Sequence, residues 1–75
     1  MLQAKDVRLG RTVSTKALMT AGPVFKGGTA YARLAMSWVC VVFEFVKKGR
    51  RWECVGIGRE DLPQYAGMFP PSQIL

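Results

Sequence analysis

Apolar residues concentrate between Tyr31 and Val46, where Tyr31, Leu34 and Met36 are followed by Trp38, Val39, Cys40, Val41, Val42 and Phe43, then Phe45 and Val46. A stretch so rich in β-branched and aromatic side chains predicts the central strand region of a β domain. From Trp38 to Phe43 the run has no polar break, the pattern of a strand covered on both faces, by a closed barrel or by a partner subunit. Lys47-Lys48-Gly49-Arg50 is a polar, Gly-containing connection, and Arg51 to Ile57 resumes the strand pattern, so a hairpin is predicted here.

The flanks are less regular. Lys5 to Ser14, with Val7, Leu9 and Val13 as apolar members around Gly10, fits an opening strand or bent pair. Thr15 to Thr20 holds good helix formers but is long enough only for a short turn that needs packing to stand. Ala21-Gly22-Pro23 and Lys26-Gly27-Gly28 are turn chemistry, which predicts a loop from about Ala21 to Thr29. Gly58 to Tyr65 reads as a turn into a single helical or 3₁₀ turn, with Pro63 supplying a fixed φ and Leu62 and Tyr65 packing downward to plug a barrel end.

These elements define a mostly β fold: a small antiparallel curved sheet or an SH3-like barrel of four or five strands with one short helical or 3₁₀ turn. An α+β arrangement, with Thr15 to Ala21 as a helix on a curved antiparallel sheet, is the competitor. Residues 1–67 form the single domain. Residues 68–75 form a tail with Pro70-Pro71 inside it, whose Met68, Phe69, Ile74 and Leu75 are apolar enough to dock on a neighbour.

With 75 residues the core is thin and a second domain is excluded. A homodimer that buries leftover apolar surface is a common remedy for such marginal size. Charge changes the picture more: 11 Lys and Arg oppose 5 Asp and Glu, for a net charge of +6. The excess sits in residues 1–51, where Asp6 and Glu44 are the only acids, while residues 52–75 set Arg59 against Glu53, Glu60 and Asp61. An acidic partner is expected, nucleic acid or an acidic protein surface. The plain alternative is that the charge serves solubility.

Two cysteines raise the question of a disulfide. If the hairpin turns over Lys48-Gly49, Phe43 faces Cys54 and Cys40 faces Ile57, which puts the sulfurs on opposite faces. A one-residue shift restores a common face but leaves them about four positions apart, beyond the roughly 7 Å Cα reach of a disulfide. Buried thiols in a reducing compartment follow. No apolar leader opens the chain and no stretch approaches the roughly 20 residues of a bilayer span, so no membrane is expected and the location is read as cytoplasmic.

Chemistry-bearing motifs are sparse. Gly22 to Thr29 approximates a phosphate-binding loop, but Gly28 stands where the Lys belongs and the chain is too short for the strand and helix that give such a loop its geometry. Gly56-Ile57-Gly58 reads as strand glycines at a bend or bulge. Without histidine, no metal set and no base for a cysteine nucleophile suggest themselves, and the adjacent Glu60 and Asp61 make no catalytic pair, so neither a cofactor nor catalysis is expected.

The remaining candidate is basic and aromatic. Lys47, Lys48, Arg50 and Arg51 crowd the hairpin tip, and Arg11 and Arg33 join them as phosphate contacts. Tyr31 or Trp52 would stack on bases, with Phe25 a further aromatic near a surface. The leading expectation is therefore a non-enzymatic module that binds the nucleic-acid backbone. The competing one is a small regulator or inhibitor, of the kind phages and mobile elements encode, that masks a surface of a larger protein with help from the apolar tail. A ligand site formed only at a homo-oligomer interface is a third.

Overall fold

The computed structural model describes residues Met1–Pro71. A 3₁₀ turn at Ala4–Asp6 leads into strand β1 (Thr12–Ser14) and helix α1 (Thr15–Met19). Strands β2 (Val24–Lys26), β3 (Thr29–Met36), β4 (Val39–Lys48) and β5 (Arg51–Arg59) follow, and a second 3₁₀ turn, Pro63–Tyr65, comes after them. All pairings are antiparallel, and the spatial order is β1-β5-β4-β3-β2. The mostly β reading with one short helix thus holds, as an open curved sheet whose edges are β1 and β2.

The curvature can be gauged from side chains. Phe25 on β2 and Trp52 on β5 lie three strands apart, about 14 Å across a flat sheet. Their ring centroids are 5.8 Å apart, so the sheet curls until residues near its two margins touch. The concave face carries the main core: Ala30, Ala32 and Leu34 of β3, Phe43 and Phe45 of β4, and Trp52 and Cys54 of β5. Leu2, Ala4, Val7 and Val13 close it from the N-terminal side together with Leu18 of α1, which is fully buried. Burying Phe43 and Phe45 contributes roughly 2–3 kcal/mol each. The Ser14 hydroxyl caps α1 by accepting from the Ala17 N–H at 3.0 Å, so five residues suffice for a helix that the sheet supports.

Three predicted boundaries move. Of Lys5 to Ser14 only Thr12–Ser14 is strand, because Ala4–Asp6 tightens into a 3₁₀ turn whose Ala4 packs into the core. The loop expected from Ala21 to Thr29 contains β2. Its Gly27 and Gly28, at φ 58° and 84°, form the two-residue turn whose positive dihedrals suit a tight hairpin. The long apolar run is two strands rather than one, broken at Ser37-Trp38, where Ser37 takes φ 58° in the absence of a glycine.

The β4–β5 hairpin also differs in register. Its turn is Gly49-Arg50 between the partners Lys48 and Arg51, with Gly49 alone at positive φ. Phe45, not Phe43, therefore faces Cys54. A bulge at Val55 then resets the ladder, so that Phe43 faces Ile57. Cys40 pairs with Ala35 instead of Ile57, and its carbonyl accepts the Glu60 N–H at 3.3 Å. Cys54 lies on the concave face and Cys40 on the convex face, and no disulfide joins them. Burial raises the Cys54 thiol above its ordinary value, with a bond to the Gly56 carbonyl opposing.

The convex face is covered by the chain's own C-terminal segment. Pro63–Tyr65 lies against it rather than plugging an open end: the Tyr65 hydroxyl donates to Glu44 Oε2 at 2.7 Å, and its ring meets Tyr31 edge-on at 6.3 Å. Gly56 and Gly58 make this possible by what they lack. A Cβ on Gly58 would meet the Tyr65 hydroxyl at 2.9 Å, and one on Gly56 would meet Glu44 Oε2 at 2.9 Å. The tail continues the cover, for Arg33 lies 5.2 Å over the Phe69 ring and donates to the Pro70 carbonyl. Val42, beneath this layer, is fully buried. The two-sided burial of β4 is thus intramolecular, and Met68 and Phe69 are half-buried on their own domain; Ile74 and Leu75 lie outside the described residues.

Candidate nucleic-acid interface

Register brings the cations to one end. Lys26 pairs with Thr29, Thr29 with Val46 and Val46 with Glu53, so the β2–β3 turn sits beside the β4–β5 turn. Ser14 pairs with Arg51, which delivers the start of α1 to the same place. The Thr15 hydroxyl accepts the Trp52 indole N–H at 3.1 Å and reaches the Arg50 carbonyl at 3.4 Å, tying helix, hairpin tip and core together. Lys16, Lys26, Lys47, Lys48, Arg50 and Arg51 thereby share one end of the sheet with a single carboxylate among the described residues, Glu53.

These cations are held differently. Lys48 forms an exposed ion pair with Glu53 at 3.3 Å, and Arg51 is fixed by bonds to the Thr12 hydroxyl at 2.7 Å and the Thr12 carbonyl at 3.1 Å. Arg51 keeps its charge uncompensated, since neither partner is ionic. Among the described residues Lys16, Lys26, Lys47 and Arg50 make no ion pair, and all are exposed. Such an end offers several exposed positive charges to an anion at low desolvation cost.

The other sequence candidates are placed elsewhere. Arg33 binds Glu60 at 2.7 Å on the convex face and lies beneath Phe69, committed to the fold rather than to solvent. Arg11 is exposed beside Cys54 in the middle of β5, where its carbonyl accepts the Cys54 N–H. Tyr31 is half-buried against Tyr65. Trp52 is buried with its indole N–H bonded, which leaves no free ring face for stacking. Phe25, by contrast, is 53% exposed at the basic end.

The sequence reading missed Trp38. Taken as a core strand residue, it sits in the β3–β4 turn and is 81% exposed, with Met36 and Val39 half exposed beside it. The available signal was length: the apolar stretch exceeds the usual five or six residues of one strand, and Ser37 is its polar break. This end of the sheet also carries Arg59, paired with Asp61 at 2.7 Å, and the Arg33–Glu60 pair, so its charges cancel internally.

Among the described residues no three Cys, Asp or Glu side chains gather as a metal site, and no helix is long and apolar enough to cross a membrane. No protein-family model matches the chain, and comparison with curated proteins and with solved structures likewise finds no match.

Proposed function

We propose that the protein is a non-enzymatic nucleic-acid-binding module that grips the phosphate backbone with the basic end of its sheet. The observation that carries this reading is the convergence of two hairpin turns and the start of α1, which among the described residues gathers six cations against Glu53 alone. Backbone binding of this kind releases counterions and reads no sequence. The test is fluorescence anisotropy with labelled oligonucleotides across a salt series. Affinity should fall steeply with salt, and the pair Lys47→Glu with Arg50→Glu should reduce the slope of log K against log salt by about two. Arg59→Glu, at the opposite end, should leave that slope unchanged. Equal loss from both changes would count against a localised interface.

A second reading has its own observation. Trp38, Met36 and Val39 form an exposed apolar tip, and exposed tryptophan is frequent in protein-binding hot spots. On that reading the protein masks a surface of a larger protein through the β3–β4 turn. Binding of that sort survives high salt and is lost in Trp38→Ser, the reverse of the outcomes above.

A further inference from the structure

We infer that the nucleic acid taken at the basic end is single-stranded, with one unpaired base stacking on Phe25. The inference rests on the basic end being a phosphate-binding surface and adds the chemical class of the ligand. Phe25 lies on β2, an edge strand, so no strand flanks its outer side. Its inner cross-strand partner is Ala30, which has no bulk to stand over the ring. Phe25 is about half exposed, and its pairing with the core residue Ala30 puts its side chain on the concave side.

The ring is nevertheless fixed. It meets Trp52 in a T-shaped contact at 5.8 Å, and Trp52 is held by its indole bond to Thr15. Lys47, the cross-strand partner of Trp52, shares this face, and Lys26, next to Phe25 in β2, projects from the opposite face at the same sheet edge. An exposed ring held rigidly on the same face as Lys47 and at the same edge as Lys26, neither in an ion pair among the described residues, is the combination that binds unpaired bases: phosphates meet the lysines while a base lies on the π-face. A duplex keeps its bases stacked on one another and cannot use such a ring.

The competing explanation is that Phe25 merely covers Trp52. Phe25→Leu separates the two, because leucine keeps apolar cover over the indole but presents no aromatic face. The probes are oligothymidylate of twelve nucleotides, a twelve-base-pair duplex and inorganic polyphosphate, titrated in low salt against wild type, Phe25→Leu and Phe25→Ala, with circular dichroism to verify folding. Wild type should prefer the single strand, and both variants should lose about tenfold for it while holding polyphosphate as before. Phe25→Trp should retain the preference. Equal affinities of wild type for single strand and duplex, untouched by Phe25→Leu, would overturn the stacking inference and leave the electrostatic reading standing. Failure of wild type to bind any of the three polyanions would overturn both.

Discussion

The two ends of the sheet are built from hairpin turns of similar length and yet differ in what they leave unsatisfied. At one end Lys16, Lys26, Lys47 and Arg50 are exposed and have no ionic partner among the described residues. At the other, Arg33 and Arg59 are each within 2.7 Å of a carboxylate, and what is left over is apolar, with Trp38 foremost. Charge alone therefore does not mark a surface for binding, because an arginine already paired with its own domain has little left to offer. A surface is marked by cations or aromatics that the fold does not itself consume.

The change with the largest expected effect removes the frame that joins both ends. Phe45→Ala should cost about 3–5 kcal/mol, against about 4–11 kcal/mol expected for a domain of this size. Thermal denaturation followed by circular dichroism should show a strongly lowered midpoint or no transition, and oligonucleotide binding should disappear with the fold. A near-native midpoint would mean that the concave core is not the main support.

Arg33→Ala sharpens the contrast between cations that serve the fold and cations that serve a ligand. Loss of its bonds to Glu60 and Pro70 and of its contact with Phe69 should destabilise the protein by about 1–3 kcal/mol. Affinity for oligonucleotides should stay within about twofold of wild type. A salt slope that dropped by about one would place Arg33 among the phosphate contacts after all.

Alkali probes the convex cover. Burial first, and then the hydrogen bond to Glu44, hold the Tyr65 phenol above its ordinary value near 10.0, and burial does the same for the Cys54 thiol above 9.0. A group whose pKa is raised by folding keeps a proton that the unfolded chain gives up sooner. Its stabilisation is intact below pH about 9 and erodes as pH rises through the unfolded values towards the folded ones. Urea midpoints should therefore fall between pH 8 and pH 11. In Tyr65→Phe the midpoint at pH 8 should drop by about 1 kcal/mol equivalent for the lost hydrogen bond, and the further alkaline decline should be shallower. Identical declines in the two proteins would exclude Tyr65 as a source.

The smallest effect is expected at the tip that carries Trp38. Ser37 holds φ 58° at a cost of about 1–2 kcal/mol for a residue with a Cβ, partly offset by the extra chain entropy of glycine. Ser37→Gly should raise stability by a few tenths to about 1 kcal/mol without altering nucleic-acid affinity. A lower melting temperature would indicate that Ser37 contributes more than backbone geometry.

Most kinds of element were legible along the chain, with β2, the first 3₁₀ turn and the Ser37-Trp38 turn as the exceptions. The β-branched and aromatic run between Tyr31 and Val46 marked the strand region without its break at Ser37-Trp38, Gly49 among lysines and arginines marked a turn, and Pro63 marked the late 3₁₀ turn beside Tyr65. These follow from backbone sterics and local apolar patterning, which act within a few residues. What lies beyond that range belonged to the tertiary structure. The bulge at Val55 shifted the register by one residue, which local pattern does not encode. The cover over Val42 came from the chain's own C-terminal segment, made possible by the empty Cβ positions of Gly56 and Gly58. Of two rings both expected near a surface, Trp52 is enclosed and Phe25 is left at the rim, because sheet curvature is a property of five strands together. Along the sequence, Arg33 and Lys47 both read as phosphate contacts. Only the approach of Glu60 and Phe69 from a distant part of the chain made Arg33 a structural residue, while Lys47 stays exposed with no ionic partner among the described residues.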